Sequence, residues 1–189
     1  MVLQTDKINV IKTAEAFDQF IQQFHTGDEI YEFIGGEMVE VPSNPYASEI
    51  GGTIFFFFKL FVRENNIAGH VTPADGSYWV SGERYAPDVA YISQERQPEP
   101  VYKGYNPNPP DLAVEVISDE TSSEELNRLR WKITNYLAAG TVAWAVFPVS
   151  KRVEVYVPGQ PVQILGIGDT LDGGTVLPGF KLPVREIFK

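Results

Sequence analysis

Apolar and polar positions alternate with several different periods along the chain, and each change of period marks an expected element. Residues 13 to 25 (TAEAFDQFIQQFH) place Phe17, Phe20, Ile21 and Phe24 at helical spacing, with Thr13 as a candidate N-cap. IYEFI and EMVEV then alternate on either side of Gly35-Gly36, the pattern of a hairpin whose turn needs positive φ. From 46 to 64 (YASEIGGTIFFFFKLFVRE) the apolar run is too long and continuous for a strand. Ile50, Ile54, Phe57, Phe58 and Phe61 make one helical stripe, while Phe55, Phe56, Leu60 and Val62 spread to its sides. One face cannot bury all of these. The helix is expected either at the centre of the core, under a sheet, or in a homodimer that covers its second side with another copy of the chain.

HVTPADGSYWVSGE reads as two short strands, and RYAPDVAYISQ as a third that turns Val89 and Tyr91 one way and Asp88, Ala90 and Ile92 the other. Residues 94 to 110 are proline-rich loop. PPDLAVEVIS is a buried strand, and DETSSEE offers the capping box Ser122-x-x-Glu125 for a helix that runs to Gly140 with Leu126, Leu129, Ile133 and Leu137 as its apolar stripe. VAWAVF is again a buried strand, RVEVYV a half-exposed one, and the rest is short strand and turn. The order from residue 46 is helix, three strands, helix, strand. It predicts an α/β (α+β) domain over residues 1–189, with a mixed central sheet flanked by helices, an N-terminal helix and hairpin, and short C-terminal strands.

Glu115 disturbs this apolar picture. It stands inside LAVEV, where an unpaired carboxylate is costly. Asp88 opens a strand directly after Pro87, and Lys132 lies about 60° around the helical wheel from Leu129, at the edge of the stripe. Carboxylates on neighbouring strands suit a hard cation such as Mg²⁺, which takes one or two of them and keeps water or phosphate elsewhere. An ammonium beside them can act on a phosphate or on water. The competing reading is structural: Lys132 snorkels to water and Glu115 is held by an arginine or by backbone donors. Asp111 also follows a proline and shares a face with Glu115, but fits a strand-start residue at the loop edge. His25 and His70 are single histidines without ligand spacing, and the glycine pairs at 35, 51 and 173 fit turns or close packing.

Composition adjusts these expectations. The 189 residues hold 25 acidic against 15 basic side chains, a formal charge of −10 that repels nucleic acid on average. Arg128, Arg130 and Lys132, with Lys151-Arg152 further on, are the local cations, although a helix with acids first and bases later is also simply matched to its dipole. The absence of cysteine fits a cytoplasmic protein and excludes thiolate metal sites. The opening MVLQTDKINVIK lacks the apolar core of a secretory leader, and the runs Ile54–Phe58 and Leu60–Val62 fall well below the roughly 20 residues of a membrane span.

RYAPDVAYIS, PPDLAVEVIS and WKITNYLAAGTVAWAVFPVSKRVEVY, with YEFIGGEMVE before them and GDTLDGGTVLPGFKLPVREIF at the close, resemble the Uma-two family of restriction-endonuclease-like proteins in the PD-(D/E)XK nuclease superfamily. The likeness runs from about residue 28 to the end and implies a nuclease core at about 46–157. It makes Asp88 the motif aspartate and Glu115 the motif glutamate, both ligands of Mg²⁺ (or Mn²⁺). The superfamily's lysine normally stands two residues beyond the glutamate, where this chain has Ile117; the resemblance points instead to Lys132 on the following helix. Glu49 matches a place where such nucleases keep an extra acid, and equally suits a charge at a helix N-terminus. The implied activity is metal-dependent endonucleolytic hydrolysis of phosphodiester bonds in DNA, with RNA left open. A second class of function stands beside it: a catalytically silent binding or self-assembly module on a nuclease fold.

Overall fold

The computed structural model describes residues 11–23, 29–41 and 43–189. Helix α1 (Ala14–Gln23) precedes the hairpin β1 (Tyr31–Ile34) and β2 (Glu37–Glu40). The hairpin turn places Gly35 and Gly36 at φ +60° and +81°, a region glycine enters without a Cβ clash. Thr13 caps α1 by accepting from the Ala16 N–H at 3.2 Å. Phe24 and His25, expected at the end of that helix, lie outside the described residues. Helix α2 (Pro45–Glu64) starts as its sequence dictates: the Asn44 side chain accepts from the Ala47 N–H at 2.9 Å and Pro45 occupies the first turn.

The chain continues through β3 (Gly69–Pro73), β4 (Tyr78–Val80), β5 (Glu83–Tyr85), β6 (Val89–Ser93), β7 (Leu112–Val116), α3 (Ser123–Ala138), β8 (Val142–Phe147), β9 (Arg152–Tyr156), β10 (Gln163–Leu165), β11 (Thr170–Asp172), β12 (Lys181–Pro183) and α4 (Val184–Ile187). Six strands form the central sheet in the order β10-β9-β8-β7-β6-β3. Its pairs are antiparallel except β7 and β8, which run parallel and are joined by α3. A second sheet, β2-β1-β5-β4, lies beside it, and β11 pairs with β12.

Helix α2 buries Ile50, Ile54 and Phe58 on one face of the large sheet, against Val89, Leu112, Val114 and Trp144. The C-terminal segment covers part of the same helix: Phe58 and Phe61 both meet the Phe180 ring edge-on, with centroids 5.0 and 5.3 Å apart. The sheet and the C-terminal segment thus cover the stripe, while Phe56 and Leu60 remain exposed at 57% and 36%. Helix α3 covers the opposite face, packing Leu129, Ile133 and Tyr136 on Ala90, Ala113, Ala143 and Ala145.

Three local expectations shift. RYAPDVAYIS is two strands rather than one: β5 belongs to the small sheet and β6 to the large one, and the chain crosses between them at Ala86-Pro87-Asp88. Pro87 has no N–H to offer a ladder, which suits it to the crossing. The buried face of α3 is centred on Leu129, Lys132, Ile133 and Tyr136, so Leu126 and Leu137 are only partly buried and Lys132 lies in the middle of the stripe rather than at its edge. The capping box is half made. Ser122 accepts from the Glu125 N–H at 3.2 Å, but the Glu125 carboxylate accepts from Ser118 N at 2.6 Å and Asp119 N at 3.0 Å.

Candidate active site

Four elements deliver carboxylates and one ammonium to a single cavity of about 70 Å³, room for a few water-sized groups. From the small sheet comes Glu32 on β1, 4% exposed. Its Oε1 accepts from the Ala86 N–H and from Lys132 Nζ, both at 2.7 Å. At the crossing, Asp88 Oδ2 accepts from the Val116 N–H at 2.7 Å, which ties the start of β6 to the end of β7. Helix α2 packs on this point at Gly51, where an added Cβ would be in ordinary contact, 3.6 Å, with that of Asp88. Glu115, on β7, is 8% exposed, with Oε2 accepting from Lys132 Nζ at 2.6 Å and Oε1 from the Tyr136 hydroxyl at 2.7 Å. Helix α3 lines the remaining wall with Glu125, Arg128, Leu129 and Lys132, at the i, i+3, i+4, i+7 spacing of one face.

Lys132 therefore does not snorkel. At 5% exposure it joins both sheets through its two ion pairs. Burial, the largest single influence on it, lowers its pKa, but Glu115 and Glu32 together outweigh burial and leave the ammonium raised above its ordinary value. It holds its proton at neutral pH. Burial pushes the Glu115 carboxyl up; the Lys132 ammonium bonded to it opposes this, and Glu32 and Asp88 add to it. Asp88 is pushed up to about 6, again chiefly by burial, with the Val116 N–H and Lys132 pulling the other way. As a residue Asp88 is half-buried, but its carboxyl is shielded in the cavity wall. Tyr136 is held well above its ordinary value by burial and by Glu115, so it stays a hydroxyl and a donor.

Among the described residues, Glu32, Asp88, Glu115 and Glu125 face the cavity with only Lys132 and Arg128 as cations, a formal surplus of two negative charges. That surplus is what a divalent ion would cancel. Among the described residues no three His, Asp or Glu side chains form a closed metal cage. The donor set fits instead an ion held by two carboxylates that keeps water and phosphate as its other ligands, the habit of Mg²⁺. Asp88 Oδ1 has no hydrogen-bond partner among the described residues, and each Glu115 oxygen retains a second lone pair.

The structure thus brings Asp88, Glu115 and Lys132 together. It does not bring Glu49, which is exposed on α2 and absent from the cavity wall. Two further acids line the cavity: Glu125, which the sequence presents as a capping residue, and Glu32, which the alternation of YEFI presents as an ordinary polar hairpin position. Glu32 carries the mark that singled out Glu115, a carboxylate inside a strand buried at every residue. Ile117 forms apolar wall. Asp111 braces a loop: it accepts from Ser93 N at 2.6 Å and pairs with Arg96 at 3.2 Å. His70 lies on the edge strand β3, its Nε2 buried without a hydrogen-bond partner.

A family profile described as "Uma2: Putative restriction endonuclease" matches residues 14–185. Among solved structures, the crystal structure of a "putative nuclease belonging to DUF820" from Anabaena variabilis ATCC 29413 is similar with a TM-score of 0.78. The likeness covers 93% of this chain and 97% of that one at 18% sequence identity, and identifies the fold as restriction-endonuclease-like. No curated protein matches the chain.

Proposed function

The chain belongs to the Uma2 family, whose description is putative restriction endonuclease, and from that premise we propose that it is a metal-dependent endonuclease hydrolysing phosphodiester bonds in DNA. The observation that carries the reading is the convergence of Asp88, Glu115 and Lys132, from three separate elements, on one cavity. Asp88 and Glu115 are the residues that would hold Mg²⁺ or Mn²⁺. Bound there, the ion would offset charge on the phosphoryl group and make water a better nucleophile.

The protein's own side chains do the rest. Lys132, kept charged and fixed by Glu32 and Glu115, acts as a donor rather than a base; its third N–H has no protein acceptor among the described residues and is available to orient a water or a phosphate oxygen. Glu32 positions that ammonium and fixes the crossing through Ala86. Tyr136 holds the Glu115 carboxylate in one orientation. An assay of wild type, Asp88→Ala and Glu115→Ala on plasmid DNA with Mg²⁺ or Mn²⁺ tests this. Cleavage is expected from wild type alone, and cleavage by both variants would remove the site from the mechanism.

Exposed Phe56 and Leu60 on α2 favour one further reading, a silent module that self-associates through this helix. Calorimetry showing no Mn²⁺ binding, together with concentration-dependent dimerisation in sedimentation, would favour it. No described helix is long and apolar enough to cross a membrane.

A further inference from the structure

The cavity that the nuclease reading requires is hostile to its substrate. Lys132 is buried and already committed to two carboxylates at 2.6 and 2.7 Å. A divalent ion would cancel the carboxylate surplus of the wall and leave no positive charge over, so a phosphodiester approaching from solvent would still face a chain of net charge −10. Some other cation must receive it.

Arg128 is the only other cation on that wall among the described residues. It stands one turn before Lys132 on the same face of α3, and its side chain is 34% exposed, so it belongs to both the cavity and the solvent. Its partner is Glu124, at 2.5 Å, whose side chain is 72% exposed and does not line the cavity. Surface pairs of this i, i+4 kind are weak and yield to a better acceptor. The other acid nearby does not compete, because Glu125 is already bonded to the backbone of Ser118 and Asp119.

From this arrangement we infer that Arg128 is the substrate-binding residue that captures a backbone phosphate at the cavity mouth, exchanging Glu124 for the phosphodiester while Lys132 stays fixed. The inference rests on the nuclease reading and names the group that reading lacks. A guanidinium offers two parallel N–H donors that match two phosphate oxygens, which a lysine at the same place would not. Glu124 is then a placeholder that occupies Arg128 until an anion displaces it. A phosphate contact positions the strand without reading its bases, so Arg128 contributes affinity and no sequence preference.

The test measures binding and turnover on one labelled DNA duplex. Dissociation constants are taken with Ca²⁺ at several NaCl concentrations, and KM and kcat with Mn²⁺, for wild type, Arg128→Ala, Arg128→Lys and Glu124→Gln. Arg128→Ala is expected to weaken binding by about tenfold or more and to lower the salt slope by about one, with kcat at saturation changed by less than about threefold. Arg128→Lys should recover part of the affinity, and Glu124→Gln should bind about two- to threefold more tightly than wild type. Wild-type affinity in Arg128→Ala overturns the assignment, as does a Glu124→Gln variant that binds as weakly as Arg128→Ala. Cleavage that persists with Arg128→Ala affinity unaltered sinks the assignment and leaves the nuclease reading standing. Arg128-dependent binding with no cleavage under either ion does the reverse, and a wild type that neither binds nor cleaves the duplex overturns both.

Discussion

The two faces of the six-stranded sheet are built from the same strands to opposite ends. Toward α2 the strands present Val89, Tyr91, Leu112, Val114, Trp144 and Val146, large side chains that meet Ile54, Phe58 and Phe180 in an apolar core. Toward α3 the same strands present Ala90, Ala113, Ala143 and Ala145. The alternation of large and small follows from the period of two in a strand. Its consequence is space: the alanines leave room beneath α3 for Glu115, Lys132 and Tyr136, three polar side chains in register with the core. One face carries the large apolar core and the other the polar cluster of the proposed site.

Substitutions can push the two faces apart or collapse the distinction. The largest effect is expected from Phe58→Ala, which opens a cavity among Trp144, Phe180 and α2 and should cost about 3–5 kcal/mol in denaturant melts. Whatever protein remains folded should bind Mn²⁺ as wild type does, because no atom of the site is touched. Next comes Lys132→Met, which leaves Glu32 and Glu115 buried without their cation. Loss of a partner from a buried pair costs about 3–5 kcal/mol, but the carboxyls can take up protons, so a net loss of about 2–3 kcal/mol is expected, with cleavage abolished. Ala145→Leu fills the space beside Glu115 on the neighbouring strand, and should cost about 1–3 kcal/mol while displacing the Glu115–Lys132 pair. A melt as stable as wild type would show that the alanine face is not tightly packed.

The smallest effect has the opposite sign. Folding raises the Asp88 carboxyl from 3.8 to about 6, so the folded state prefers its protonated form. Its penalty is absent below pH 3.8, grows as the pH rises toward 6 and is complete above that. A shift of that size corresponds to about 3 kcal/mol, part of which the burial of the replacing amide and its weaker bond to the Val116 N–H offset, so Asp88→Asn should stabilise the ion-free protein by about 1–2 kcal/mol at pH 8 and by little at pH 4. Added Mg²⁺ should raise the wild-type melting temperature at pH 8 and leave the Asn variant unmoved. Equal melting curves for the two proteins at pH 8 would break the argument.

Periodicity made most of the large sheet and both long helices legible, because strands such as LAVEV and VAWAVF and the stripe of α2 are continuous signals. Glu115 was legible as a charge set inside an apolar strand, whereas Asp88, after Pro87, and Lys132, at the edge of a stripe, were singled out chiefly by the family resemblance. Glu32 was not legible, because a four-residue strand between polar neighbours reads as half-exposed until a second sheet is known to cover it. The split of RYAPDVAYIS was hidden for a related reason: Pro87 marks a break, but only tertiary pairing shows that its two sides join different sheets. The face of α3 was misjudged by less than one turn, since a lysine can sit mid-stripe only when distant carboxylates await it.

Lys132 spans the seam between the sheets, gripping Glu32 on one side and Glu115 on the other, and Asp88 stands where the backbone steps across. The proposed site is thus not the property of either sheet, and comes into being only when they dock. On the nuclease reading, a nascent or partly unfolded chain would carry every one of these residues and still leave DNA uncut.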